Sequence, residues 1–181
     1  MKTGEKTIVY EYAYFTIANQ MGATDIVMNT ELVDCGSKLA ILSPWVPNII
    51  NNWEISKQCL NICSPRAFRI LVIDYLIGYI DRPANCHIIN NKLFAIDNDS
   101  GSETIRITES SVAYQYNVMD VALKAKNIDV CNCSDLNFLK MVIRLPSPPM
   151  CFSVHQANLW TKIFRAAKIR LMKLNLKICS R

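Results

Sequence analysis

From Thr7 to Met21 the apolar positions recur at helical spacing, with Ile8, Tyr12 and Phe15 on one line and Val9, Ala13, Ile17 and Met21 beside it. That is the pattern of a helix with a wide buried face. Gly22 follows, where a helix end takes a residue that tolerates positive φ, so a helix over about Lys6 to Met21 is predicted. Asp25 to Val33 and Leu39 to Val46 are rich in β-branched and large apolar residues around a Cys35-Gly36-Ser37 turn, which predicts a hairpin. Pro44 and Pro47 end its second strand because proline cannot donate to a ladder. Ile49 to Ile62 reads as helical or irregular. Pro65, after Ser64 as N-cap, opens a stronger helix over Arg66 to Gly78 with Phe68, Leu71, Val72, Tyr75 and Leu76 on one face. A second hairpin is predicted from Cys86–Ile89 and Leu93–Ile96, joined at Asn90-Asn91, with Asp97 to Gly101 as the loop beyond. Thr104 to Arg144 reads as mixed and mainly helical, closed by Pro146, Pro148 and Pro149. A last helix, about His155 to Cys179, carries Trp160, Phe164, Ala167, Leu171, Leu174 and Ile178 as an apolar stripe.

Composition narrows this reading without redirecting it. With 181 residues, 51% apolar and 19% charged, the chain is neither disordered nor in need of a metal or disulfide to hold a core. One α+β domain over residues 1–181 is expected. The longest apolar run, Ile70 to Ile80, is too short to span a bilayer and contains Asp74, which marks it as a buried helix whose carboxylate needs a partner. Arg82 or a backbone cap can serve.

Charge is uneven. Lys162 to Arg181 holds seven Lys or Arg and no acid, more than the +5 of the whole chain, so the remainder is slightly acidic. Such a helix suits an anionic membrane surface or nucleic acid, or is simply the solvated side of a packing helix. No nucleic-acid motif accompanies it, and nucleic acid is not expected as a partner. Eight cysteines stand at spacings that match neither a zinc knuckle nor a finger, and His87 and His155 do not flank them suitably. Met1 to Lys6 is polar and leads into no secretory apolar segment, so the thiols read as reduced, in a cytoplasmic protein.

The order helix, Asp81, hairpin, Asp97 carries chemistry. A carboxylate at Asp81 can orient a hydroxyl nucleophile and accept its proton. A second, Asp97, at the end of the hairpin, can hold a Mg²⁺ that bridges nucleotide phosphates. The run from Ile73 to Arg82 (IDYLIGYIDR), followed by Leu93 to Asn98 (LFAIDN), resembles the catalytic core of the atypical kinases. These include the phosphatidylinositol 3/4-kinases, HipA-type toxin kinases and actin-fragmin kinase. Glu11-Tyr12-Ala13-Tyr14 to Met21-Gly22 is similar to the helix whose Glu pairs with the nucleotide-binding Lys of these families. Lys38 to Pro47 (KLAILSPWVP) resembles the strand entering their inter-lobe hinge.

The resemblance implies a protein-kinase-like fold with a partial N-lobe and hinge over about 1–47 and a mainly helical C-lobe over 48–181. It implies ATP and Mg²⁺ as cofactors, Asp81 and Arg82 in catalysis, Asp97 and Asn85 at the metal, and Glu11, Leu42 and Trp45 around the nucleotide. The substrate would be a protein or phosphoinositide hydroxyl. Four departures stand against the family pattern. Tyr79 replaces an Asn, Cys86 occupies the usual place of the metal-binding Asn with Asn85 one residue earlier, and Asp99 replaces a common Gly. The Gly-rich loop and Lys strand expected before Glu11 are missing, so impaired activity or a scaffold role is the alternative expectation.

Overall fold

The computed structural model describes residues 4–35, 38–44, 65–79, 82, 85–102, 138 and 140–179, the last four by backbone alone. Among them are three α-helices, α1 (Glu5–Gln20), α2 (Pro65–Ile77) and α3 (Val154–Cys179). Two antiparallel hairpins accompany them: β1 (Glu31–Asp34) with β2 (Leu39–Leu42), and β3 (Cys86–Ile89) with β4 (Lys92–Ala95). The class is α+β. The expected Ile49–Ile62 segment and nearly all of Thr104–Lys140 lie outside the described residues.

α1 and α2 end alike. Gly22 takes φ +67 and Gly78 φ +73. In each case the next residue donates back to the carbonyl five positions earlier, Ala23 to Ala18 and Tyr79 to Asp74, both at 2.8 Å. These are Schellman turns, which need a residue without a Cβ penalty at the left-handed position. α3 starts with a reciprocal cap: Gln156 N–H donates to Ser153 Oγ at 3.2 Å, and Ser153 N–H to Gln156 Oε1 at 2.8 Å. The Ser-x-x-Gln spacing is the capping-box signal.

α3 packs on both α1 and α2 and closes the core. Trp160, 1% exposed, is its main anchor. Its ring stacks on Tyr12 at 5.8 Å and meets Phe152 at 5.7 Å and Phe164 at 4.6 Å. Its indole N–H donates to the Pro146 carbonyl at 3.1 Å, so the large ring is buried with its polar atom satisfied. α2 is buried on almost every side from Ile70 to Ile77, as a run that is apolar apart from Asp74 requires.

The β3–β4 register places Cys86 opposite Ala95 and Ile89 opposite Lys92. Asn90 and Asn91 turn the chain with φ 50 and 59, the paired left-handed geometry that matches strand twist and that Asn tolerates. Two expectations fail. Asp25 to Thr30 is not strand: a 3-10 turn occupies Thr24–Ile26, and β1 begins at Glu31. Asp25 is instead tied to α2, its carboxylate 2.6 Å from Arg66 and 3.0 Å from Arg69, with its carbonyl also accepting from Arg66. Met141 to Arg144 is irregular rather than helical, held where Arg144 N–H donates to Gln20 Oε1 at 2.8 Å.

Arg170 is buried in α3 and donates to the Leu76 carbonyl at 2.7 Å and the Ser102 carbonyl at 2.9 Å, joining α3 to the end of α2. A Cβ on Gly78 would lie 3.0 Å from Arg170 Nη1 and 3.2 Å from Ser102 Cβ. Gly78→Ala therefore combines left-handed strain with displacement of Arg170. It is expected to lower the stability read by urea denaturation by about 2 kcal/mol, against a few tenths for a substitution at exposed Lys92.

Candidate functional site: a buried arginine hub beside Asp97

Arg82 lies just beyond the turn that ends α2, and it is fully buried. All five of its N–H donors are used. Nε donates to Asp74 Oδ1 and Oδ2 at 3.0 and 2.9 Å, and Nη2 to Asp74 Oδ1 at 2.7 Å. Nη2 also donates to Asn98 Oδ1 at 2.7 Å, and Nη1 to the Asn85 and Ile96 carbonyls at 2.7 and 3.1 Å. The guanidinium lies over the Tyr79 ring at 4.2 Å and near the Tyr14 ring at 5.2 Å. Asp74 is likewise buried, and its Oδ1 accepts the Tyr14 hydroxyl at 2.9 Å.

The hub reaches two further elements. Asn98 passes the contact on by donating from Nδ2 to Glu11 Oε1 at 3.2 Å, so α1 is joined to the loop after β4. Tyr79 forms a second link: Asn85 Nδ2 donates to its hydroxyl at 2.7 Å, and that hydroxyl donates to the Asp97 carbonyl at 2.7 Å. Asp97 has φ 51, a conformation uncommon outside glycine that costs about 1–2 kcal/mol. Its consequence is visible in the burial: Asp97 is exposed while its neighbour Asn98 is turned into the core.

Electrostatics follow from this burial. Burial works against the Arg82 charge, but the Asp74 carboxylate and the nearby phenol oxygens outweigh it, and the guanidinium is held well above its ordinary value. Burial pushes the Asp74 carboxyl up from 3.8, opposed by the Arg82 charge and by hydrogen bonds from Arg82 and Tyr14. Burial, reinforced by Asp74, raises the Tyr14 phenol well above 10.0.

The structure thus brings Glu11, Arg82, Asn85 and Asp97 into one continuous cluster. Asp81 and Trp45 lie outside the described residues. Leu42, opposite Glu31 at the end of β2, is 48% exposed and stands apart from the cluster. Arg82 is a positioning residue here, since its donors are spent within the protein. Cys86 is buried in the hydrophobic core, and the neighbouring Asn85 is joined through the Tyr79 hydroxyl to the Asp97 carbonyl. Tyr79, Asn98 and Tyr14 were not read as site residues from the sequence. Asn98 carries a signal as the neighbour of Asp97 in the I-D-N run, and Tyr79 only as a departure from the family pattern.

Mg²⁺ takes oxygen donors, keeps several waters and is commonly held by one or two carboxylates together with substrate phosphates. The Asp97 carboxylate and Asn85 amide fit that donor set, whereas a thiol does not. Among the described residues no three His, Cys, Asp or Glu side chains cluster as ligands. A cavity of about 520 Å³ lies elsewhere, between Glu5, Ile8, Lys38 and Leu39 on one side and Phe152 and Gln156 on the other. Comparison with protein-family models, curated proteins and solved structures returns no match.

Two outcomes follow from the hub. Arg82→Met leaves Asp74 charged and buried and is expected to destabilise the fold by about 3–5 kcal/mol. The double variant Asp74→Leu/Arg82→Met should lose about 2 kcal/mol less than the sum of the singles in urea denaturation, and strict additivity would contradict the coupling. The second concerns pH. Because the folded chain keeps Tyr14 protonated where the unfolded chain ionises it, its contribution is intact below pH 10.0 and is lost as the pH rises further. Tyr14→Phe should flatten the fall of stability above that pH. Some slope remains, because burial also raises Tyr75.

Proposed function

We propose that this chain is an atypical-kinase-type phosphotransferase that uses ATP and Mg²⁺ to phosphorylate a hydroxyl of a protein or a phosphoinositide, with a fold of the protein-kinase-like kind. The observation that carries the reading is the Arg82 hub, which draws the Glu11 helix, the Asp74 helix and the Asp97-Asn98 loop together from three separate parts of the chain. Those are three of the four segments on which the sequence resemblance rests; the fourth, Lys38 to Pro47, is not part of the hub among its described residues. Phosphoryl transfer depends on positioning and charge neutralisation more than on covalent chemistry, so a rigid buried frame beside an exposed carboxylate suits it.

In this reading Asp81 accepts the proton of the substrate hydroxyl as its oxygen bonds the γ-phosphorus and the bond to the β-phosphate oxygen breaks, releasing ADP. Asp97 and Asn85 would hold Mg²⁺, which supplies neutralisation of phosphate charge. Tyr79 sets both residues, since its hydroxyl bridges the Asn85 amide and the Asp97 carbonyl. Exposed Cys35 and Cys151 suit a reducing compartment, and we place the protein in the cytoplasm.

A second reading, a binding or scaffold module without catalysis, is favoured by Glu11. Glu11 is buried, 6% exposed, and its carboxylate already accepts the Asn98 amide, in the position where the resemblance asks for a lysine contact.

Thermal denaturation with ATP and Mg²⁺ separates the two. A ligand at 100 times its Kd stabilises the fold by about 2.7 kcal/mol, a readily measured shift. The shift should require Mg²⁺ and vanish in Asp97→Ala. Asp81→Asn should keep the shift while phosphoryl transfer falls about 10²–10⁴-fold. No shift in the parent protein overturns the phosphotransferase reading and leaves the scaffold.

A further inference from the structure

α3 has two faces of opposite character. Trp160, Ile163, Phe164, Ala167, Leu171 and Leu174 are buried against the core. On the other side Lys162, Arg165, Lys168 and Lys173 are all exposed. At about 100° per residue the four cations span roughly 140° of the helix circumference. Met172, 57% exposed, falls in the middle of that arc, and Val154, 80% exposed, lies on the same line at the start of the helix. Arg170 is not part of this face, because its guanidinium is spent on the Leu76 and Ser102 carbonyls.

The cations of this face are not neutralised from their own element. From Leu136 to Arg181 the sequence contains no Asp or Glu, and among the described residues none of the four is ion-paired. An uncompensated cationic arc with an exposed methionine at its centre has the chemistry of a surface that meets anionic headgroups and the adjoining acyl boundary at once. Nucleic acid fits less well. The aromatic rings of the helix, Trp160 and Phe164, are turned into the core, so the face offers charge but no stacking platform. No helix among the described residues is long and apolar enough to cross a membrane, so α3 would lie along a bilayer rather than through it.

We propose that the outer face of α3 docks this protein on anionic lipid bilayers, with Lys162, Arg165, Lys168 and Lys173 at the headgroups and Met172 entering the interface. This docking is independent of the phosphotransferase reading. It would hold equally for a scaffold.

Cosedimentation of the full chain with phosphatidylcholine vesicles, with and without phosphatidylserine, tests it. The chain should bind only the vesicles that contain phosphatidylserine, and added salt should release it. Each cation removed lowers the partition coefficient about five-fold, so Lys162→Gln/Arg165→Gln/Lys168→Gln should bind about 100-fold more weakly. These exposed positions leave the core untouched, and an unchanged urea midpoint verifies the fold. Lys92→Gln, on β4, should bind like the parent, and Met172→Gln should weaken binding without changing its salt dependence. Failure of the parent to bind phosphatidylserine vesicles overturns the proposal. So does undiminished binding by the triple variant, or binding to a duplex or single-stranded oligonucleotide that exceeds binding to the vesicles.

Discussion

A carboxylate in the middle of an apolar helix is the constraint around which this chain is arranged. Asp74 is buried on α2, and a charge there is tolerated only with a partner of opposite sign and full hydrogen bonding. Arg82 meets both demands, but its own position is demanding in turn. To return over Asp74, the chain must leave α2 through the left-handed Gly78 turn. To satisfy its remaining donors, Arg82 must find the Asn85 and Ile96 carbonyls and the Asn98 amide. The second hairpin is thereby fixed against the helix end, and Asp97 is left outside while Asn98 turns in. One buried charge accounts for the geometry of the whole cluster.

The helices complement that polar frame with an apolar one. Trp160 gathers Tyr12, Phe152 and Phe164 around itself, and Arg170 closes the end of α2 from the opposite side. α3 is consequently a core element along one side and a cationic surface along the other. The basic run therefore mixes two uses that composition alone cannot separate, a buried bond for Arg170 and a solvent-facing arc for Lys162, Arg165, Lys168 and Lys173.

What was legible in the sequence depended on how local its cause is. α1, α2 and α3 follow from apolar spacing, and their ends from Gly22, Gly78 and Pro65, all signals within a few residues. The Asn90-Asn91 hairpin follows from the tolerance of Asn for left-handed angles. The Asp25 segment misled because its β-like composition is overridden by Arg66 and Arg69, which lie about 40 residues away and hold it as a 3-10 turn. Arg82 was legible as a neighbour of Asp81 and as a partner for Asp74. Its use of Asn98 depends on a contact across the fold that no spacing rule encodes. Tyr79 was visible only as a departure from a pattern, and its bridging hydroxyl emerges once β4 is in place.

The separation of the bonded residues also bears on how the chain acquires its form. Glu11 meets its Asn98 partner across 87 positions, and Arg170 meets the Leu76 carbonyl across 94. Contacts of such span require large loops to close before they give any return, and they slow folding. During synthesis, α1 has emerged long before Asn98 exists, and α2 waits for α3 to supply both Trp160 and Arg170. The nascent protein must therefore carry an open apolar α2 until α3 has been made. That is an interval of exposure in which a chaperone, or a second nascent copy, competes with α3 for the same surface.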